Sequence, residues 1–169
     1  MNEVRFYSKA LDKEFETNRI VGEYHGQEKG PVLVFFGGIH GNEPAGVIAL
    51  INAFERIHKL KPKIKGSIYG ICGNMRALAE GKRFLTEDLN RIWTRDRLKQ
   101  IGKNGLSAES LNPDIQEQIE LYNIGRDIFK KHQHQVYCID LHTTSAVSEP
   151  FITMNDTLIQ DSLKVAEQA

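Results

Sequence analysis

The stretch VLVFFGGIHGNEPAG, residues 32–46, decides how the rest of the chain is read. Val32 to Phe36 is an unbroken β-branched and aromatic run, the pattern of a strand covered on both faces. Glycines at 37, 38, 41 and 46 interrupt it, and between them stand one histidine and one carboxylate, His40 and Glu43. A turn that only reverses the chain needs the glycines and neither of those side chains. Glycine tolerates positive φ and close packing, so such a loop can aim both side chains at one point. An imidazole and a carboxylate aimed at one point make two-thirds of a hydrolytic zinc site, which takes three protein ligands and leaves a position for water.

Working outward, Pro44 suits the first turn of a helix, with Asn42 or Glu43 near its cap. Val47, Ile48, Leu50, Ile51, Phe54, Ile57 and Leu60 recur at spacings of three and four and predict one wide buried face. Arg56, Lys59 and Lys61 favour its C-terminal end, and Pro62 stops it. Upstream, Glu28–Pro31 reads as a turn, and residues 2–8 and 19–24 as opening strands separated by the charged stretch 12–16. Downstream, residues 66–72 read as a second core strand. The polar stretch from Gly73 to about Asn112 lacks clear periodicity, and a loop of that length is usually functional or disordered. Asn112-Pro113-Asp114 opens another helix, with Ile115, Ile119, Tyr122 and Phe129 on its buried side. Val136–Ile139 is a third core strand and runs into Asp140-Leu141-His142-Thr143-Thr144-Ser145.

Strand, helix, strand, long loop, helix, strand is the rhythm of an α/β sheet with helices on its faces. Sites in such sheets gather at the carboxyl ends of strands, and both His40 and His142 stand just past such an end. His142 is therefore the natural third ligand. Asp140, two residues earlier on the same strand, can accept a hydrogen bond from a ligand imidazole and fix its tautomer. The plainer alternative for the glycine loop is a phosphate cradle, but neither the P-loop nor the dinucleotide-binding spacing is present. His25, His58, His132 and His134 lie in turns, on a polar helix side or in the charged KKHQHQ, and read as solvated.

A second group of polar residues sits in GKRFLTEDLNRIW, residues 81–93: Arg83, Asn90 and Arg91, with Asp88 beside them. A guanidinium matches a carboxylate with a rigid fork, so this segment suits an anionic substrate near the metal. Composition alone favours the blander reading of a surface helix start with ion pairs such as Glu87 to Arg91, each worth at most about 1 kcal/mol.

With 169 residues the chain is most simply one domain, 1–169. Lys+Arg and Asp+Glu are 22 each, and that balance provides no field for nucleic acid or anionic membrane. No apolar run approaches the roughly 20 residues of a membrane helix, and the N-terminus lacks a signal core, so the chain reads as soluble and cytoplasmic. Cys72 and Cys138 both fall in expected strands and read as small buried hydrophobes rather than a disulfide or thiolate ligands. Oligomeric state is left open.

The motifs G-x-H-G-N-E at Gly38–Glu43, D-L-N-R at Asp88–Arg91 and D-L-H-T-T-S at Asp140–Ser145, in this order, resemble the succinylglutamate desuccinylase/aspartoacylase family of zinc hydrolases, relatives of the zinc carboxypeptidases. The resemblance implies a mixed, mostly parallel central sheet of the zinc carboxypeptidase-like type with helices on both faces. It implies one Zn²⁺ per chain on His40, Glu43 and His142, supported by Asp140 and Asp88. Arg83 would polarise the scissile carbonyl, and Asn90 with Arg91 would grip the carboxylate of an N-acyl amino acid such as N-succinylglutamate or N-acetylaspartate. The family's general-base glutamate would fall beyond Ala169, and Glu149 does not match it. The chain is thus expected to be an amino-terminal portion of a longer enzyme, slowed about 10²–10⁴-fold without that proton acceptor. A carboxypeptidase-like peptidase and a catalytically inactive zinc-binding module remain the alternatives.

Overall fold

The computed structural model describes residues 3–103, 112–132, 135–144, 147, 149 and 151–153; His134, Ser145 and residues 154–169 lie outside them. Strands β1 (Glu3–Ser8) and β2 (Lys13–Asn18) form an antiparallel hairpin. The main sheet has four strands: β3 (Ile20–His25), β4 (Glu28–Gly37), β5 (Lys65–Cys72) and β6 (Val136–Leu141), in the order β3-β5-β4-β6. Pairings β4–β5 and β4–β6 are parallel and β3–β5 is antiparallel, so the sheet is mixed. Helices α1 (Ala45–Leu60), α2 (Met75–Ala79), α3 (Arg95–Gly102) and α4 (Pro113–Lys131) complete the described elements, with a 3₁₀ turn at Leu89–Arg91.

Side-chain alternation divides the sheet into two faces. Val32, Val34, Tyr69 and Ile71 pack with Leu121 and Ile128 of α4. Gly70, between Tyr69 and Ile71, and Gly22 on β3 lie directly against the Phe54 ring of α1, so α1 covers the opposite face. Next to α1, the hairpin residues Val4 and Phe6 join Val47, Ile48, Met75 and Leu78 in a second core.

Several expectations change. Glu28–Pro31 is the start of β4, not a turn, and residues 13–18 are a strand, not a separator. On β2 only Thr17 is buried and Phe15 half-buried, while the charged residues face outward. Cover on both faces of β4 is incomplete, because Leu33 and Phe35 are only half-buried. The long polar stretch holds three short helical elements, each begun by a capping side chain: Asn74 accepts from the Ala77 N–H, Asp88 from Asn90 and Thr94 from Arg97. On α4 the buried apolar residues are Ile115, Leu121 and Ile128, beside Asp114, Glu117 and Gln118, and Phe129 is exposed. Cys72 is fully buried, its thiol pushed up to about 12 by desolvation, but Cys138 on the edge strand β6 is exposed; both are free. No helix among the described residues is long and apolar enough to cross a membrane.

Register is what positions the site. Gly37 at the end of β4 lies opposite Leu141 at the end of β6, so the loops that follow, one carrying His40 and the other His142, leave the sheet side by side.

Candidate metal centre

The loop after β4 is pinned from behind. Gly38 has φ +73, a left-handed conformation that favours glycine. Gly41 lies against the Ala77–Leu78 backbone so closely that a Cβ would sit 2.1 Å from the Ala77 carbonyl carbon. Gly73 and Asn74 donate N–H bonds to the Gly37 and Gly38 carbonyls, both at 2.8 Å, and the Glu43 N–H donates to the His40 carbonyl at 3.0 Å. That last bond closes a turn which sets the His40 and Glu43 side chains next to one another. Pro44, not Asn42 or Glu43, occupies the cap position of α1 and makes no side-chain cap bond, which leaves the Glu43 carboxylate free for the site.

His40, Glu43 and His142 each place one ligand-type atom within 4.8 Å of the other two. His40 and Glu43 are buried, and the His142 side chain is about a third exposed. Glu43 Oε1 lies 3.0 Å from His40 Nδ1, Glu43 Oε2 lies 3.0 Å from His142 Nδ1, and the Thr143 N–H donates to Oε2 at 2.9 Å. The Nε2 atoms face outward: His40 Nε2 is 3.0 Å from Asp88 Oδ1, and His142 Nε2 is 2.7 Å from Asp140 Oδ2. Each imidazole thus lies between two carboxylates, Nδ1 turned inward to Glu43 and Nε2 outward; with a cation in place of the inner proton, Nε2 keeps its own and donates it to Asp88 or Asp140. This is the carboxylate–histidine arrangement that orients imidazole ligands and raises their basicity. Two imidazole nitrogens and a carboxylate oxygen, with one third of His142 open to solvent, fit a borderline cation such as Zn²⁺.

Charge supports the fit. Burial works to raise the Glu43 pKa, but the Thr143 N–H and the two imidazoles outweigh it and hold the carboxyl below its ordinary value. At Asp88 burial is likewise outweighed, by His40, the Asn90 N–H and Arg83. Asp140 is raised, because desolvation exceeds the attraction of His142. Three carboxylates flank the two imidazoles and one guanidinium reaches two of them, an excess of negative charge that a cation would relieve.

Arg83 reaches the edge of this group, with Nη1 3.5 Å from Glu43 Oε1, Nη2 3.4 Å from Asp88 Oδ2 and half its side chain exposed. Its carbonyl accepts from the Gly41 N–H at 3.2 Å. Asn90 and Arg91 are exposed on the 3₁₀ turn that Asp88 caps. Glu87 bonds Arg97 and Asn112 at 3.0 and 2.7 Å, so the expected Glu87–Arg91 pair is replaced by one that ties this segment to α4. Two participants escaped the sequence reading: the Thr143 N–H, which no residue-type pattern marks, and Asp114, which reads there only as a helix-start residue. The remaining described histidines are engaged elsewhere: His25 with Ser67, His132 with Tyr69, and His58 against the Tyr24 and Phe54 rings. A cavity of about 620 Å³, lined by Tyr7, Leu11, Asn42, Pro44 and Ile48, lies behind the loop and includes none of the three clustered residues.

Over residues 29–164 the sequence matches the family described as Succinylglutamate desuccinylase/Aspartoacylase catalytic domain. It is 27% identical over 117 residues to the succinylglutamate desuccinylase of Pseudomonas fluorescens SBW25, covering 69% of this chain and 32% of that protein. With the Pseudomonas aeruginosa LESB58 enzyme of the same name it shares 26% over 117 residues, with the same shares covered. Among solved structures, the succinylglutamate desuccinylase of Vibrio cholerae superposes with a TM-score of 0.58 at 18% identity, over 84% of this chain and 40% of that one. The Chromobacterium violaceum enzyme superposes with a TM-score of 0.54 at 19% identity, over 69% and 35%. The chain spans about a third of the length of the curated relatives it matches.

Proposed function

The chain belongs to the succinylglutamate desuccinylase/aspartoacylase family, and from that membership and the geometry above we propose that it takes part in zinc-dependent hydrolysis of the amide bond of an N-acyl amino acid. The observation that carries the proposal is the convergence of His40, Glu43 and His142, with both imidazoles turned inward by Asp88 and Asp140. On this reading the described elements are part of a zinc carboxypeptidase-like catalytic domain.

His40 Nδ1, Glu43 and His142 Nδ1 would hold the ion. When bound, zinc supplies Lewis-acid chemistry: it acidifies water and polarises a carbonyl. Asp88 and Asp140 keep the protons on the Nε2 atoms and so keep the Nδ1 atoms available. Arg83, fixed through its carbonyl to Gly41, presents a half-exposed guanidinium that can receive the charge developing on the scissile carbonyl oxygen. Asn90 and Arg91 bind and orient the substrate carboxylate by a charge-assisted fork. Glu43 is committed to the metal and Asp88 and Asp140 to the imidazoles, so among the described residues none is assigned the proton of the attacking water.

The test is metal content and turnover of the purified chain beside its His142→Ala variant. One zinc per wild-type chain, absent from H142A, is the expected result. Release of the free amino acid from N-succinylglutamate or N-acetylaspartate, in preference to cleavage of peptides, completes it. Equal zinc in the two proteins overturns the ligand set, peptide cleavage replaces the substrate class, and zinc binding without turnover even when the full-length enzyme is assayed replaces the enzyme with a binding module.

A further inference from the structure

Residues 81–88 carry Arg83 and Asp88 into the site, yet no helix or strand holds them. Their backbone is held by Asp114, in the first turn of α4. This carboxylate is completely buried and accepts from five donors. Oδ2 receives the Thr86 N–H at 2.5 Å, the Thr86 hydroxyl at 2.8 Å, the Glu87 N–H at 3.0 Å and the Leu85 N–H at 3.2 Å. Oδ1 receives the Asn74 side-chain amide at 2.6 Å. Asn74 caps α2 through Ala77, whose backbone abuts Gly41, and its own N–H holds the Gly38 carbonyl. One carboxylate therefore joins the back of the metal-ligand loop to the segment that brings in Arg83 and Asp88.

Resting on the functional reading above, we propose that Asp114 is a positioning residue for hydrolysis: it fixes residues 85–87 so that Asp88 orients His40 and Arg83 meets the substrate carbonyl. An anion is required at this point. Three backbone N–H groups converge on it, and an asparagine would turn its own amide hydrogens toward some of those donors. Burial works to raise the Asp114 pKa, but the donors outweigh it and keep the group ionised at neutral pH.

The experiment compares wild type, Asp114→Asn and Thr86→Val in the full-length chain. In D114N the Leu85, Thr86 and Glu87 amides exchange with solvent at least tenfold faster than the loss of global stability alone accounts for, while those of Val34 and Ile71 follow that loss only. Zinc affinity falls about tenfold, the lower end of what loss of a ligand-orienting carboxylate costs. Turnover falls on the order of 10²-fold through kcat more than KM, as expected for displacement of a transition-state contact. In an Arg83→Ala background D114N then lowers kcat little further, because the two substitutions remove one effect. T86V shifts every readout the same way by less, and it carries the test if D114N does not fold. Uniformly faster exchange with unchanged zinc affinity, or full multiplicative loss in the R83A background, overturns the inference and leaves Asp114 a packing residue. If wild type binds zinc but cleaves none of the substrates, the functional reading falls alone, and exchange and zinc affinity still decide the role of Asp114.

Discussion

Glu43 and Asp114 are both buried carboxylates whose pKa values sit below the ordinary range although burial pushes them up. What surrounds them differs. Asp114 is saturated by five donors that belong to the fold: three backbone amides, one side-chain amide and one hydroxyl. Glu43 has one backbone donor and, at 3.5 Å, the Arg83 guanidinium; its nearest other partners are imidazole nitrogens, which can give up a proton and bind a cation instead. A buried acid with fixed donors is a structural anchor; a buried acid with exchangeable partners is a site. The contrast teaches that burial and a depressed pKa do not by themselves identify function.

Substitutions at these two acids should therefore separate. Glu43→Gln is expected to abolish stoichiometric zinc while leaving the metal-free protein folded, read by metal analysis beside thermal unfolding in chelator. Zinc retained by E43Q would erase the distinction. Asp114→Ala is expected to cost the metal-free protein about 2–4 kcal/mol in urea unfolding, since buried donors left without an acceptor lose about 1–3 kcal/mol each and some can relax to water. A loss below about 0.5 kcal/mol, the size of an ordinary surface substitution, would show that Asp114 is no anchor. Smaller still for the fold, but sharper for the site, are Asp88→Asn and Asp140→Asn. Each should weaken zinc about 10–100-fold by freeing an imidazole from its carboxylate, measured by competition with a chelating dye, and unfold close to wild type.

The candidate site was legible in the sequence where chemistry and periodicity coincide. His40 and Glu43 sit among glycines at the end of an apolar strand, and His142 ends another. Parallel pairing of Gly37 with Leu141 brings the two ends together, as expected for strands of one α/β sheet. Asp140 was legible because it lies in the last residues of β6, two before His142. The anchor was not. Asp114, Glu117 and Gln118 are fully buried, yet polar types on a helix read as its solvent face, and this put Phe129 inside when it is outside. Glu117 is buried because Arg19 and Arg76 come to it from distant parts of the chain, and no local pattern records such a pairing. Strand β2 was hidden by charges on its outer face, and α2, the 3₁₀ turn and α3 are too short to show a period.

The smallest effect is also the one that isolates the anchor from the site. The Asp114 carboxyl is depressed below its ordinary value of 3.8 in the folded chain, so the unfolded chain takes up its proton first as pH falls. Its contribution to stability is fully present above about pH 3.8 and is lost as pH drops through the lower folded value. D114N carries no such group. The stability difference between wild type and D114N, measured by urea unfolding in chelator, should thus be constant from neutral pH down to about 4 and shrink below it. A difference that shrinks well above pH 4 would mean that Asp114 titrates as an exposed or raised carboxyl, which five inward donors do not permit. Glu43, lowered as well, supplies the control: in E43Q the acid dependence due to Asp114 remains, because the two carboxylates draw on different donors.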